Sequence, residues 1–470
     1  MRAICYLGFI NFNHTTIPNT ETGVMSNRRD FLKKAGLATA GFAFGAHSMN
    51  AASYKRILGA NDRVRVGIVG FSDRFRSSLA PSFMDHAKDL NFEFMGVSDL
   101  WNRRRDEAEA YMTSKGWAAP NFVKCRNNEE LYARKDVDAV IISTADFQHA
   151  LHCAEAVNSG RDAYVEKPFA ESLEDAKIAL AAVEKTKKIV QVGSQRRSAP
   201  NYWAAYEFIK SGKFGDITTV EMTWNVNQPG RWRRPDLVSQ IREQDTDWAR
   251  FLMNRPKVAW NPRYYLEYRL FYPYSSGIPG QWMAHQIDTV HWFTGLEAPR
   301  SVVANGGVYT WKDGRTNPDT FTAVFEYGPF DNKEKGFQVI YASRFNNSAG
   351  GTKEYYYSNG GMINLDTNEI TPTGGLEERQ AKVMGLSANQ LEKQELKAQA
   401  RVETDANTGA DPMTSLHMRN WMECIRSRKE TNAPASAGFN HSVANIMSTQ
   451  ALHTGKRVSW DPKKKAIVVS

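Results

Sequence analysis

The stretch VRVGIVGFSDRFR, residues 64–76, decides how the first half of the chain is read. Val64, Val66, Ile68 and Val69 form a short apolar run into Gly70, as a buried strand does before a phosphate loop. A dinucleotide loop would continue as GxGxxG, but the three glycine positions here read Gly70, Ser72 and Phe75. Gly70 keeps the residue that makes the tight turn. Ser72 is small enough for a pyrophosphate to approach the backbone and adds a hydroxyl, whereas Phe75 fails the close helix packing of a third glycine. The expectation is a modified nucleotide loop in which Phe75 either pushes the helix away or turns its ring outwards.

The surrounding sequence supports that reading. From Asp62 to Ser194, short apolar runs (VRVGIVG, FEFMGVSD, DAVIIST, AYVEKP, IVQVGSQRR) alternate with helical segments at 77–90, 102–115, 145–160 and in LEDAKIALAAVEKTKK. Strands alternating with helices predict a doubly wound parallel sheet over residues 62–195. The pattern then changes. A helix at 200–212 is followed by longer alternating runs, ITTVEMTWNVN, SVVANGGVYTW, TFTAVFEYG and FQVIYASRFN, with Gly-, Asn- and Pro-rich turns between them. Residues 196–460 therefore read as an α+β domain with a mostly antiparallel open sheet, closed by helices at 412–428 and 438–454. Residues 229–280, rich in Trp, Arg, Tyr and Pro without periodicity, have the character of binding loops. Residues 375–411 read as a polar excursion with one helix.

Composition limits the alternatives. With 41% hydrophobic and 24% charged residues in 470, the chain can bury two ordinary cores. The formal charge of +9 is dispersed, without the basic and aromatic interleaving of a nucleic-acid binder. At the N-terminus, Asn27-Arg28-Arg29-Asp30-Phe31-Leu32-Lys33 and the apolar run from Ala35 to Ala46 form a twin-arginine export signal. That run is too short to span a bilayer permanently, and small residues at Ala51 and Ala52 suit cleavage. Residues 1–24 fit no targeting pattern, so Met25 is the expected start. Residues 1–52 are read as an upstream extension and signal peptide, implying a periplasmic protein that is not an integral membrane protein. Without Cys5 there remain Cys125, Cys153 and Cys424, an odd set lacking CxxC spacing and so neither a disulfide framework nor a zinc site.

Three groups of residues carry the chemistry. Asp99 closes the second strand, where an acid accepts both hydroxyls of an adenosine ribose; an N-cap for the following helix is the structural alternative. Arg103, Arg104 and Arg105 beside it keep a 2′-phosphate open, so the cofactor is NAD or NADP. Glu166-Lys167-Pro168 ends a strand at the carboxyl edge of the sheet, where Lys167 can donate to a substrate oxygen and tune proton transfer. In GQWMAHQIDTVHW, residues 280–292, helical spacing places Gln281, His285, Asp288 and Trp292 on one face. His285 with Asp288 suits a general base and its orienting carboxylate. A metal set of His285, Asp288 and His291 is weaker because the two histidines do not share a face, and no metal is expected.

Together, VGIVG, VSD, DVDAVIISTADFQH, YVEKPFAES, VGSQRR, SGKFGDI and GQWMAHQIDTVHW resemble the Gfo/Idh/MocA family of glucose–fructose oxidoreductase and inositol dehydrogenase, over nearly the whole chain after the signal. The resemblance implies a Rossmann domain, an α/β substrate domain and a nicotinamide-dependent oxidoreductase of sugars or cyclitols; export by the twin-arginine route adds the expectation of a tightly bound cofactor. The resemblance also implies a homo-oligomer, dimer or tetramer, built through the open sheet. It assigns Lys167 as catalytic beside the nicotinamide, Glu166 to a ribose, His285 as the acid–base residue and Asp288 as its neighbour. Gly70, Ser72, Arg74, Asp99, Thr144 and His149 fall in the cofactor loops, together with Asp146, and Ala145 replaces a usual proline. Arg74 matches an arginine that pairs with phosphate. Gln195 and Arg196 line the cleft; Arg269 with Tyr264 or Tyr265 are substrate contacts. Gln281, a further expected substrate contact, stands where relatives often have an acid and cannot act as a base. An NAD-assisted glycoside hydrolase of the same superfamily and a non-catalytic carbohydrate-binding protein are the competing functions.

Overall fold

The computed structural model describes residues 63–396 and 411–470. The export signal, the start at Met25 and the cleavage region lie outside the described residues. Strands β1 (Val64–Val69), β2 (Phe92–Ser98), β3 (Ala118–Cys125), β4 (Ala139–Ile142), β5 (Asp162–Val165) and β6 (Val190–Val192) form one sheet in the order β3-β2-β1-β4-β5-β6. Every pair in it is parallel. The order reverses at β1, so the loops after β1 and β4 open a crevice at the carboxyl edge, where open α/β sheets bind ligands. The predicted doubly wound sheet is present; β3 was not read from the sequence. Its exposed residues Pro120, Asn121 and Lys124 give this edge strand little apolar signal.

Phe75 shows how the loop tolerates its missing glycine. The following helix opens with a π-helical turn, Phe75–Leu79, before regular α-helix from Ala80 to Leu90. The wider turn lets the ring drop inwards. Phe75 is fully buried, 5.8 Å from Phe71 and 5.7 Å from Phe94 between ring centroids. The ring is therefore not turned outwards, and what gives way is helix regularity.

The second sheet contains β7 (Ile217–Asn225), β8 (Ser301–Gly307), β9 (Thr320–Tyr327), β10 (Phe337–Arg344), β11 (Thr352–Ser358), β12 (Gly361–Asn364), β13 (Glu369–Thr371), β14 (Gln394–Glu395), β15 (Val458–Asp461) and β16 (Ala466–Val469). Their order is β14-β13-β12-β11-β7-β10-β9-β8-β15-β16, antiparallel except for β7 beside β10. Alternation sorts the faces. Phe321, Ala323, Phe325 and Tyr327 of β9 are buried, while Thr322 and Glu326 are exposed. The helices Ala284–Thr294 and Ala435–Thr454 pack on one another, and the latter also packs on β8.

The helix Pro412–Ser427 crosses the sequence-drawn boundary at 195. Met418, Trp421, Met422 and Ile425 are fully buried in one cluster with Val66, Phe75 and Phe94 of the parallel-sheet half. Gln191 Nε2 donates to the His417 carbonyl at 2.6 Å, and His417 Nε2 donates to the Val192 carbonyl at 2.8 Å.

Candidate active site

The carboxyl edge of the parallel sheet opens into a cleft of about 920 Å3, faced across by residues 228–237, 250–269 and 281–285. Gly70 turns here with φ +84°. A Cβ on it would lie 2.7 Å from Thr144 Cγ2 and 3.1 Å from the Ser143 carbonyl, so glycine is required by both conformation and space. The Phe71 N–H donates to Asp99 Oδ2 at 2.9 Å and the Trp101 N–H to Oδ1 at 2.9 Å. Burial raises the Asp99 pKa against those two donors. Asp99 thus braces the loop and the turn that leads into the next helix, which has no side-chain cap, and each oxygen retains a lone pair for a ribose hydroxyl. Ser72 Oγ accepts the Phe75 N–H at 3.1 Å, leaving its hydroxyl hydrogen available.

Arg74 and Glu166, both expected at the cofactor, hold each other: Nε donates to Oε1 at 3.0 Å and Nη1 to Ser78 Oγ at 2.9 Å. Burial would raise the Glu166 carboxyl, but Arg74 and Lys167 bring it below its ordinary value. Thr144 Oγ1 donates to His152 Nδ1 at 3.1 Å. His149 Nδ1 donates to the Pro168 carbonyl at 2.8 Å, and Nε2 faces the Thr144 carbonyl at 3.2 Å. A neutral ring can donate to only one of two carbonyls, and burial lowers the His149 pKa, so the shorter bond is the one made.

Lys167 reaches across the cleft to Gln281. Its Nζ donates to the Gln281 carbonyl at 2.5 Å and lies 3.5 Å from Gln281 Oε1. Burial brings its pKa down to about 7, against the pull of Glu166 and Asp146. Gln281 occupies a second π-helical turn, Pro279–Met283, leading into the helix Ala284–Thr294. Its Nε2 donates to Asp146 Oδ2 at 2.5 Å, which also accepts from Ser275 Oγ at 2.7 Å. Arg269 ion-pairs with Asp146 at 3.3 Å, and its guanidinium carbon lies 4.8 Å from the Tyr268 ring centroid.

His285 lines the same cleft, its ring 5.8 Å from Trp224, and makes no hydrogen bond to the protein among the described residues. Burial, then the charges of Lys167 and Arg196, hold its pKa well below the ordinary value; the ring is a neutral acceptor. The expected His285–Asp288 pair does not form. Residues three apart on a helix differ by about 60° in direction, enough to send Asp288 into the core. There Arg197 Nε and Nη2 donate to its two oxygens at 2.7 and 3.1 Å, and His441 Nδ1 lies at 3.5 Å. Burial would raise this carboxyl, but Arg197 and His441 hold it far below the usual range. Asp288 anchors the helix that carries His285. Trp292 is not a cleft residue either; it stacks on Tyr206 at 5.2 Å.

Gln195 lines the cleft and donates weakly to Tyr164 OH at 3.4 Å. Arg196 ion-pairs with Glu354 at 2.6 Å. Tyr264 is a correction: its ring packs against Phe271 at 4.9 Å and Tyr274 at 5.3 Å, away from the cleft, while Tyr265 lines it. Sequence reasoning missed an aromatic wall. Arg231 lies 5.4 Å from the Trp282 centroid, Trp282 stacks on Trp224 at 5.9 Å and 9°, and Arg196 lies 5.6 Å from Trp224. Two guanidiniums thus bracket two parallel indoles beside His285. It missed Thr414 as well, which contacts Arg74 at 3.5 Å from the helix start that Asp411 caps; the Asp411-Pro412 pair was the available signal. Among the described residues no cluster of His, Cys, Asp or Glu is arranged to hold a metal, and no helix is long and apolar enough to cross a membrane.

These residues fit a dinucleotide. The Gly70 turn, Asp99 with its remaining lone pairs and the basic Arg74 share a cleft with Lys167, and the buried Arg269 Nε beside it lacks a hydrogen-bond partner. Residues 64–194 match the model of the Gfo/Idh/MocA family, described as an oxidoreductase family with an NAD-binding Rossmann fold. The chain is similar to the inositol 2-dehydrogenase of Agrobacterium fabrum, at 29% identity over 42% of this chain and 56% of that one. It is also similar to a glycosyl hydrolase family 109 protein of Shewanella pealeana, at 26% identity over 47% of this chain and 50% of that one. The chain thus spans about half the length of these relatives. In fold it resembles levoglucosan dehydrogenase solved with NADH and levoglucosan, with a TM-score of 0.60 at 13% identity over 84% of this chain and 99% of that one.

Proposed function

We propose that the protein is an exported NAD-dependent oxidoreductase that oxidises or reduces a ring carbon of a sugar, cyclitol or glycoside. The observation that carries this reading is Lys167, half-buried at the carboxyl edge of β5 with a pKa near neutrality, facing His285 and Gln281 across the dinucleotide cleft. The nicotinamide accepts or returns a hydride when bound. Gly70, Ser72, Arg74 and Asp99 would hold the dinucleotide. In the oxidation direction the substrate hydroxyl gives its proton to the neutral amine of Lys167, which becomes an ammonium; reduction reverses that transfer. Neutral His285 accepts a hydrogen bond from the reacting hydroxyl or its neighbour and orients it. The Trp224–Trp282 wall and Arg269 bound the space for the ring.

NAD is favoured over NADP because the Asp99 carboxylate would repel a 2′-phosphate. The nearby arginines are also engaged: Arg103 with Glu107 at 2.7 Å, Arg104 with Glu107 at 2.8 Å, and Arg105 with the Asp99 carbonyl at 2.6 Å. Tight retention follows from residues 228–269 lying across the cleft, tied by Arg234 to Asp73 at 3.1 Å and by Arg250 to Glu129 at 2.5 Å. Free nicotinamide cofactor is scarce outside the cytoplasm, so a cofactor loaded before twin-arginine export would turn over by alternating oxidation and reduction. The open face of the second sheet is the proposed oligomer surface. The family 109 relatives favour a second reading, NAD-assisted glycoside hydrolysis, against which stands the intact Glu166-Lys167-Pro168.

The test is to purify the exported protein, denature it and identify any released nucleotide by mass spectrometry, then follow a sugar panel at the nicotinamide absorbance. Stoichiometric NAD with reduction by a sugar supports the dehydrogenase. Glycoside cleavage without net reduction supports the second reading, and absence of any nucleotide binding sinks both.

A further inference from the structure

Behind Lys167 lies a polar chain that the reaction above does not use. Asp146 leads the short 3-10 turn after β4, is fully buried, and sends Oδ2 to two donors, Gln281 Nε2 at 2.5 Å and Ser275 Oγ at 2.7 Å. A primary amide with its nitrogen fixed on a carboxylate has its oxygen fixed on the opposite side. That oxygen, Gln281 Oε1, lies 3.5 Å from Lys167 Nζ, and the backbone oxygen of the same residue lies 2.5 Å away. The glutamine is thus held in one orientation, offering acceptors to the lysine. Without the carboxylate the amide has no reason to keep its oxygen there, and its NH2 group could turn towards the ammonium.

We propose that Asp146 is a positioning residue for Lys167: through the Gln281 amide it keeps Oε1, beside the backbone oxygen of the same residue, on the amine, and its charge, one residue removed, offsets the cations around it. The inference rests on reading Lys167 as the proton-transfer group. The charged groups around that amine are Glu166 beside it on the chain, Asp146 after β4, Arg74 from the nucleotide loop, Arg269 opposite, and the imidazole of His285. Burial and the two arginines lower the Lys167 pKa, while Glu166 and Asp146 raise it. Glu171, a second buried carboxyl that accepts from Ser276 Oγ at 3.1 Å, is pushed up to about 8 by burial and then by Asp146. Of the two carboxyls, Asp146 is the one bonded to Gln281, whereas Glu171 is bonded to Ser276. A glutamine that cannot itself take up a proton thereby passes on the influence of a carboxylate.

The experiment reads the lysine directly. Reductive methylation with 13C-formaldehyde labels Lys167, identified by its loss in Lys167→Arg, and its resonance is titrated in wild type, Asp146→Asn, Gln281→Ala and the double variant. Asp146→Asn should lower the Lys167 midpoint by about one unit and move the acidic limb of kcat/KM by the same amount towards low pH. In the Gln281→Ala background the same substitution should shift the midpoint by less than half as much. An unchanged midpoint in Asp146→Asn, with circular dichroism as in wild type, overturns the proposal. Equal shifts in both backgrounds overturn the part played by Gln281. The titration needs no turnover, so a protein that releases no nicotinamide fails the proposed function while still deciding this point.

Discussion

Arg74 and Glu166 meet at 3.0 Å, joining the loop after β1 to the end of β5. Each had been expected to touch the cofactor by itself. Glu166 is 5% exposed and Arg74 22%, so the pair is largely removed from water. Removing one partner of a buried pair costs about 3–5 kcal/mol because the survivor is left uncompensated. Glu166→Gln should therefore lower the unfolding free energy read from urea melts by an amount of that order, and Arg74→Met combined with Glu166→Gln should recover most of it. Equal loss in the single and double variants would show that the pair is not the source.

Lys167→Met removes the proposed proton acceptor and keeps the side chain's bulk. Turnover should fall by roughly 10²–10⁴, while the nucleotide released on denaturation stays at the wild-type ratio. A variant that loses nucleotide and turnover together would make Lys167 a cofactor ligand rather than a proton-transfer residue.

The first sheet was legible because its strands are buried on both faces and read as apolar runs; only the edge strand β3 lacked that pattern. Lys167 and Gly70 were legible because each follows a strand whose end is plain in sequence. Asp288 was not. Periodicity gives the face of a helix but not which neighbour occupies it, and Arg197 lies in a turn with no pattern of its own. Both π-helical turns escaped for a related reason: one extra residue per turn changes no local propensity, yet it decides where Phe75 and Gln281 point. The cleft-facing residues 228–269 follow no period at all, so Arg231 could be suspected from the composition of that stretch but not paired with Trp282.

The segment 228–269 is tied down by charges that salt can screen. Arg234 meets Asp73 at 3.1 Å with both side chains more than a third exposed, and Arg250 meets Glu129 at 2.5 Å, likewise exposed. Such pairs are individually weak. Arg234→Gln with Arg250→Gln should speed nucleotide release several-fold, measured by dilution into a nucleotide-scavenging enzyme. The wild-type release rate should rise with salt more steeply than that of the double variant. Identical salt slopes would remove the latch.

Gly70→Ala tests the turn. The added Cβ meets Thr144 Cγ2 at 2.7 Å and the Ser143 carbonyl at 3.1 Å in a left-handed conformation. Strain of about 1 kcal/mol from φ alone, with the clash added, should lower Tm by several degrees and abolish nucleotide retention. A variant that keeps both would mean that the loop relaxes easily and does not grip pyrophosphate.

Acid should destabilise the fold through buried histidines. His417 donates from Nε2 to the Val192 carbonyl at 2.8 Å and accepts from Ser198 Oγ at 2.6 Å; His291 donates to the Leu296 carbonyl at 2.8 Å and accepts from Tyr327 OH at 3.2 Å. Both rings are neutral in these bonds, and burial brings both pKa values down to about 4. In the unfolded chain they titrate near 6.5. Between pH 6.5 and 4 the unfolded state therefore binds protons that the folded state refuses, and stability falls with pH by about 3 kcal/mol for each ring across that window. Above pH 6.5 neither contributes a slope. His417→Gln should be weaker than wild type at pH 7, because it loses a fitted hydrogen-bond pair. Its urea midpoint should nonetheless fall less between pH 6.5 and 4.5. The contrast is between slopes, so the cost of the substitution at neutral pH does not enter. Parallel pH profiles for wild type and His417→Gln would mean that this ring is already protonated in the fold, and that the helix Pro412–Ser427 is held to β6 by a charged hydrogen bond instead.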